Sequence, residues 1–235
     1  MHMSVYLKRG GFVVFLAAIF AIIQSHPAWL KTYQSDLIYL GQQHLRLVAY
    51  SMFLALIIGL PAGVILSRSW AKRFAEPILQ IFNIGNTLPP LAVLALAMVL
   101  VGIGDQPAII ALFLASLLPI VRNTYTGLCG VSPALLEAAR GLGMTPRQSL
   151  YFVELPNAAP VILVGVRLAL VINVGTVPLT FLIGASSYGE LIFPGIFLNN
   201  HAQLLVGAGA TAIVALALDQ AVAGLGRVFA GHAAH

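Results

Sequence analysis

Residues 132–157 read SPALLEAARGLGMTPRQSLYFVELPN and lie in the longest polar interruption of the chain, about Arg122 to Asn157. Ser132-Pro133 supplies a helix N-cap and a proline at the first helical position, followed by Ala134–Leu142. Gly143 is a stop signal. Thr145-Pro146 then repeats the start before Arg147–Leu155, and Pro156 is expected to end that second helix. The stretch predicts two short helices hinged at a glycine, a rigid unit suited to docking.

On either side of it the chain is apolar. Uncharged stretches at Gly10–Leu30, Leu47–Ser67, Pro77–Gly104, Gln106–Val121, Leu168–Gly189 and Leu191–Leu218 are the candidates for spans, each of which needs roughly 20 apolar residues to cross a bilayer. The first contains a short apolar run, Phe12–Ile23, behind Lys8-Arg9. Gln24-Ser25-His26-Pro27 offers no small-x-small cleavage site, so a retained first helix is expected. A removed signal or a surface-lying segment are the alternatives.

Composition excludes a water-soluble domain. Of 235 residues, 60% are apolar and 8% charged, against roughly 45–50% and about 25% in soluble chains. The mean hydropathy is +0.96. Charges this sparse cannot cover a soluble surface, and disorder requires the opposite balance. The expected architecture is all-α and integral to the membrane, with about six transmembrane helices. Residues 1–235 then form one membrane domain whose loop, about 132–157, lies between helices 4 and 5.

The net charge of +5 acquires meaning from its distribution. With six spans and a cytoplasmic N-terminus, the inside collects Lys8, Arg9, Arg68, Lys72, Arg73, Arg122, Arg140, Arg147 and Arg227. The outside receives Lys31 and Arg46, and Arg167 falls within or near a span. That distribution satisfies the positive-inside rule with both termini cytoplasmic, and no nucleic acid is needed to explain it. Cys129 is the single cysteine, so no internal disulfide or cysteine metal cluster is possible.

The loop also carries a pattern: Glu137-Ala138-Ala139, three residues, Gly143, nine residues, Val153, one residue, Leu155-Pro156. It resembles the EAA loop of permease subunits of bacterial ABC importers. The resemblance implies a type I ABC importer-like fold with no catalytic residues and no metal or cofactor of its own. Glu137, Ala138, Ala139, Arg140, Gly143, Leu155 and Pro156 would form the element coupled to the ATPase. Small side chains at Ala138 and Ala139 would let the helix sit in a partner's groove, with Glu137 and Arg140 pairing at its rim. Implied partners are ABC ATPase subunits that bind ATP and Mg, a periplasmic or lipid-anchored solute-binding protein, and a second permease, identical or paralogous. The place is the bacterial inner membrane.

Further stretches are similar to permeases for glycine betaine, choline and carnitine. They include His44-Leu45, Leu47-Val48 and Ser51, Ile58–Gly63, Leu88–Ala92, Leu117–Gly127 and Gly165-Val166-Arg167. Methionine and sulfonate permeases share much of this core and are the alternative. One departure stands out. Where the family carries a glycine-rich segment resembling GAGGLG, this chain has Gly184-Ala185-Ser186-Ser187-Tyr188-Gly189, which would suit one half of a heterodimeric pair.

Asn83, Asn86, Thr87, Pro89 and Pro90 in the third span, and Asn173, Thr176 and Thr180 in the fifth, are candidates to line a translocation pathway. Prolines and polar groups at membrane depth need protein or a water-filled cavity around them. Hydrogen bonding between helices is the competing role, and Gly59 and Gly63 form a small-xxx-small packing face. Arg167 is expected to have a structural partner, because an isolated arginine at the bilayer centre costs about 2.5–3.5 kcal/mol on insertion scales. An intramembrane serine protease built on Ser186, Ser187 and His201 fails, since Gly189 arrives one residue late for a nucleophile elbow. No Walker A motif is present, so ATP hydrolysis falls to another subunit. A secondary transporter or channel is disfavoured because Asp36, Asp105, Glu190 and Asp219 fall at predicted span ends, leaving no buried carboxylate for ion coupling.

Overall fold

Long apolar runs fold as long helices, because in hydrocarbon every backbone polar group must be paired within its own segment. The computed structural model describes residues 27–232. In chain order the helices are α1 (Pro27–Thr32), α2 (Gln34–Leu66), α3 (Lys72–Thr87), α4 (Pro90–Val101) and α5 (Asp105–Cys129). Next come α6 (Pro133–Gly141), α7 (Pro146–Ser149), a π turn (Leu150–Glu154) and α8 (Leu155–Thr176). A 3₁₀ turn (Val177–Ile183), α9 (Gly189–Phe197) and α10 (His201–His232) complete the order, and no strand occurs among the described residues. The first predicted span, Gly10–Leu30, lies almost wholly outside them; its last residues belong to α1.

Among the described residues four helical rods are long and apolar enough to cross a membrane: Gln34–Leu66, Asp105–Cys129, Pro146–Ile183 and His201–Gly224. Two predicted spans are broken. Pro77–Gly104 divides at Leu88-Pro89, where both residues are extended, with ψ of 136° and 134°. A residue before proline is driven out of the α region, and the Pro89-Pro90 pair imposes this twice. The 12-residue α4 rises only about 18 Å, short of a bilayer core. Leu191–Leu218 divides at Asn199, which adopts a left-handed φ of 53°. Asn200 then caps α10 by accepting the Gln203 N–H at 3.2 Å.

Two boundaries also move. α5 runs past the predicted Val121 to Cys129, and the rod holding the predicted fifth span begins well before Leu168, at Pro146. Pro156 does not end its helix. The π turn delivers the Leu155 N–H to the Leu150 carbonyl, and Pro156 then stands in the first turn of α8, where its missing N–H is tolerated.

The core forms where α2, α5 and α8 meet, with Leu47, Ala55, Leu112, Ile120, Ala169 and Val174 buried together. Gly59 and Gly63 let α2 approach α5: a Cβ on Gly59 would stand 2.8 Å from Ile120, and one on Gly63 2.5 Å from Thr124. Close approach through small residues is how membrane helices gain packing energy.

Candidate functional site: the two-helix loop and its anchor

α6 starts as its sequence directs, with Ser132 extended and Pro133 first in the helix, although the Ser132 side chain makes no capping bond. Its end is a Schellman motif. The Gly143 N–H bonds the Arg140 carbonyl at 2.9 Å and the Met144 N–H bonds the Ala139 carbonyl at 3.0 Å. Gly143 takes φ +73° there, a conformation that costs a residue with a Cβ about 1–2 kcal/mol. α7 opens with a capping box. The Thr145 N–H bonds Gln148 Oε1 at 2.8 Å, and Thr145 Oγ1 accepts the Gln148 N–H. Both starts and the stop between them therefore have local causes.

The unit presents one face outward. Leu135 and Leu142 are exposed, the latter 77%, alongside exposed Ala134, Glu137, Ala138 and Arg140. Ala139, at 2% exposure, turns inward. Its small side chain serves packing within this chain, and Ala138 is the alanine that faces out. Leu136, Leu150 and half-buried Leu155 hold the unit to Leu128, Val131 and Ala158. Pro156 borders a separate apolar groove with Pro61, Thr124 and Ile162.

Glu154 is buried on the inner side of the π turn. Its Oε2 accepts Arg68 Nη2 at 2.6 Å and its Oε1 accepts the Ser149 hydroxyl at 3.1 Å. Arg68 Nη2 and Nε also donate to Ser67 Oγ at 2.9 and 3.2 Å, and Nε to the Val64 carbonyl at 3.3 Å. The loop is thereby fastened to the end of α2.

The polar membrane candidates are dispersed. Asn173 is fully buried, donating to Ser51 Oγ and Ser116 Oγ at 2.8 Å each, and so ties α8 to α2 and α5. Thr176 and Thr180 donate to the carbonyls of Ile172 and Val177, each at 2.7 Å. Pro90 and Thr176 border one apolar groove of about 420 Å³ with Leu94, Ile110 and Leu114. Asn83 sits apart, in a polar pocket of about 160 Å³ with Glu76, Gln80 and Arg122. Thr87 and Pro89 are exposed at the break between α3 and α4. The backbone of Asn86 belongs to the last turns of α3.

A model of the binding-protein-dependent transport system inner membrane component family matches residues 45–230. The chain belongs to that family. Over 203 residues it is 66% identical to the osmoprotectant import permease protein OsmY of Salmonella typhimurium, covering 86% of each chain. It is 40% identical over 195 residues to the choline transport system permease protein OpuBB of Bacillus subtilis, covering 83% of this chain and 89% of that one. The fold matches an inward-facing structure of the MetNI methionine ABC transporter with a TM-score of 0.74 at 24% identity, over 84% of this chain and 98% of that chain.

Three residues of this inner membrane component gain partners that the sequence pattern did not supply. Arg68 and Glu154 form the anchor just described. Asp219, just past the predicted span end at Leu218, lies inside α10 rather than at a helix end, and accepts Arg167 Nε at 2.8 Å and Nη2 at 2.7 Å. Arg167 thus has the structural partner expected of it. The segment at Gly184–Gly189 makes a turn in which the Tyr188 hydroxyl donates to the Leu37 carbonyl at 3.3 Å over Gly41. Its ring lies 5.1 Å from that of His44, which is fully buried.

Proposed function

We propose that this chain is the membrane-spanning permease subunit of an ATP-driven importer that carries quaternary-amine osmoprotectants inward, glycine betaine, choline or carnitine, by alternating access. The carrying observation is the loop: two short helices joined by a Schellman glycine, the second opened by a capping box, with Leu135, Ala138 and Leu142 turned outward. An exposed apolar helix face rimmed by Glu137 and Arg140 suits the groove of an ATPase subunit that binds ATP and Mg itself. Leu155 and Pro156 are the foot through which movement of the loop reaches α8. The high identity to an osmoprotectant permease and the likeness to a choline permease support the substrate class.

In this reading the chain crosses the membrane six times with both termini cytoplasmic. Gly10–Leu30 makes the first crossing, α2 the second, the broken pair α3–α4 the third, α5 the fourth, the α7–α8 rod the fifth and α10 the sixth. A periplasmic or lipid-anchored binding protein delivers the solute, and a second permease, identical or paralogous, completes the pathway. Pro90 and Thr176, which share a groove, are the pathway candidates best placed to face that second subunit.

The test is reconstitution in proteoliposomes with the ATPase and binding-protein subunits, followed by uptake of labelled betaine, choline, carnitine and methionine. ATP-dependent entry of a quaternary amine is expected. Uptake of methionine alone would remove the substrate assignment, and uptake driven by an ion gradient without the ATPase would remove the importer assignment.

A further inference from the structure

Glu154 occupies the unspecified position of the loop pattern, between Val153 and Leu155, yet it is buried and bonded through both carboxylate oxygens. A carboxylate turned into a protein carries a large desolvation penalty unless it is paired and hydrogen-bonded. Here both oxygens are used, one by Arg68 and one by Ser149. The side chains are 27% and 10% exposed for Arg68 and Glu154, so water screens the pair only in part.

Position gives the pair a mechanical meaning. It sits on a π turn, a local widening of the helix that recurs at functional sites. A pocket of about 660 Å³ separates the loop from the end of α2 and is lined by Lys72, Arg140 and Met144 as well as by the pair itself. The ion pair bridges that gap. Without it, displacement of α6 and α7 would reach the core along the backbone into α8 and through the apolar packing of Leu136 and Leu150 beside Leu128 and Val64. With it, the same displacement also pulls on α2, whose last turn grips Arg68 through Ser67 and Val64.

We propose that Arg68 and Glu154 are positioning residues that transmit movement of the ATPase-docked loop to α2 as well as to α8. This rests on the reading of the loop as the ATPase-docking element. The strut makes α2 and α8 move together, so that one nucleotide-driven displacement re-orients two of the three core helices.

The experiment uses the full complex in proteoliposomes and records solute uptake and ATP hydrolysis in parallel. Glu154→Gln and Arg68→Gln are expected to assemble and hydrolyse ATP while uptake per ATP falls about tenfold, within the range typical of coupling between sites. Arg68→Lys, which keeps the charge but loses the Nε bonds, is expected to lie between these and the wild type. An unchanged uptake-to-hydrolysis ratio in both glutamine variants overturns the proposal. So does a parallel loss of uptake and hydrolysis, which marks a purely structural contact. If the glutamine variants fail to assemble, Arg68→Lys decides: a lowered ratio supports the strut and an unchanged one removes it. Absence of ATP-driven uptake in the wild-type complex strikes the parent reading instead.

Discussion

Arg167 and Asp219 join α8 to α10 through two parallel hydrogen bonds, Nε to Oδ1 at 2.8 Å and Nη2 to Oδ2 at 2.7 Å. Both residues lie within helices long and apolar enough to cross a membrane. A two-pronged pair there answers a problem of solvation: each ion is partly enclosed by protein and gains its counter-ion from the other helix.

Removing one partner should therefore be worse than removing both. Asp219→Asn leaves the guanidinium without its counter-ion and is expected to destabilise the protein by about 1–3 kcal/mol. Breaking a fully buried pair would cost more, but the Arg167 side chain is 38% exposed. The double variant Arg167→Met/Asp219→Leu should recover most of the loss. Thermal unfolding in detergent measures both, and a double variant less stable than Asp219→Asn would contradict this account.

Asn173 should behave as a hub. Its amide holds Ser51 and Ser116 on two other helices, and each such bond between membrane helices contributes about 0.6 kcal/mol, with about 1.7 at most. Asn173→Leu is expected to destabilise by about 1–2 kcal/mol. Ser51→Ala should have a smaller effect, and a double-mutant cycle between Asn173 and Ser51 should show coupling. Strict additivity of the two would mean that the bond carries no weight in the membrane.

The long helices were legible because hydropathy is a local property, and so was the two-helix loop, since caps act over three or four residues. The breaks were legible only in part. Pro89-Pro90 signals lost backbone hydrogen bonds at membrane depth, but its larger effect is to interrupt the span, and the left-handed turn at Asn199 has no signature in hydropathy. The charged pairs were out of reach. Arg68 and Glu154 are 86 residues apart and Arg167 and Asp219 52 apart, and no local pattern shows which arginine meets which carboxylate. Ala139 illustrates the same limit at short range: the motif names it, but only the packing of α6 decides that it faces inward.

Gly143 separates conformational need from crowding. Among the described residues a Cβ there would meet nothing within 4 Å, so within them the obstacle to substitution is the left-handed φ of +73°. Gly143→Val is expected to insert in the membrane at wild-type yield while ATP-driven uptake is lost. Gly143→Asn should retain more uptake, because asparagine tolerates this conformation better than β-branched residues do. Full uptake in the valine variant would argue against a coupling role for the α6–α7 junction.

Gly63 and Gly175 form the opposite contrast. A Cβ on Gly63 would come within 2.5 Å of Thr124 Cβ and 2.9 Å of the Val121 carbonyl, and backbone on a packed helix cannot yield cheaply. One on Gly175 of α8 would meet nothing within 4 Å among the described residues. Gly63→Ala is therefore expected to destabilise by about 1–3 kcal/mol through overpacking of α2 on α5. Gly175→Ala lacks that penalty and replaces a helix-weakening residue, so it should be neutral or stabilising by up to about 1 kcal/mol in the isolated subunit. Unfolding midpoints of the two purified variants, compared with the wild type in the same detergent, decide the matter. Equal shifts in the same direction would show that the α2–α5 approach does not depend on the missing Cβ.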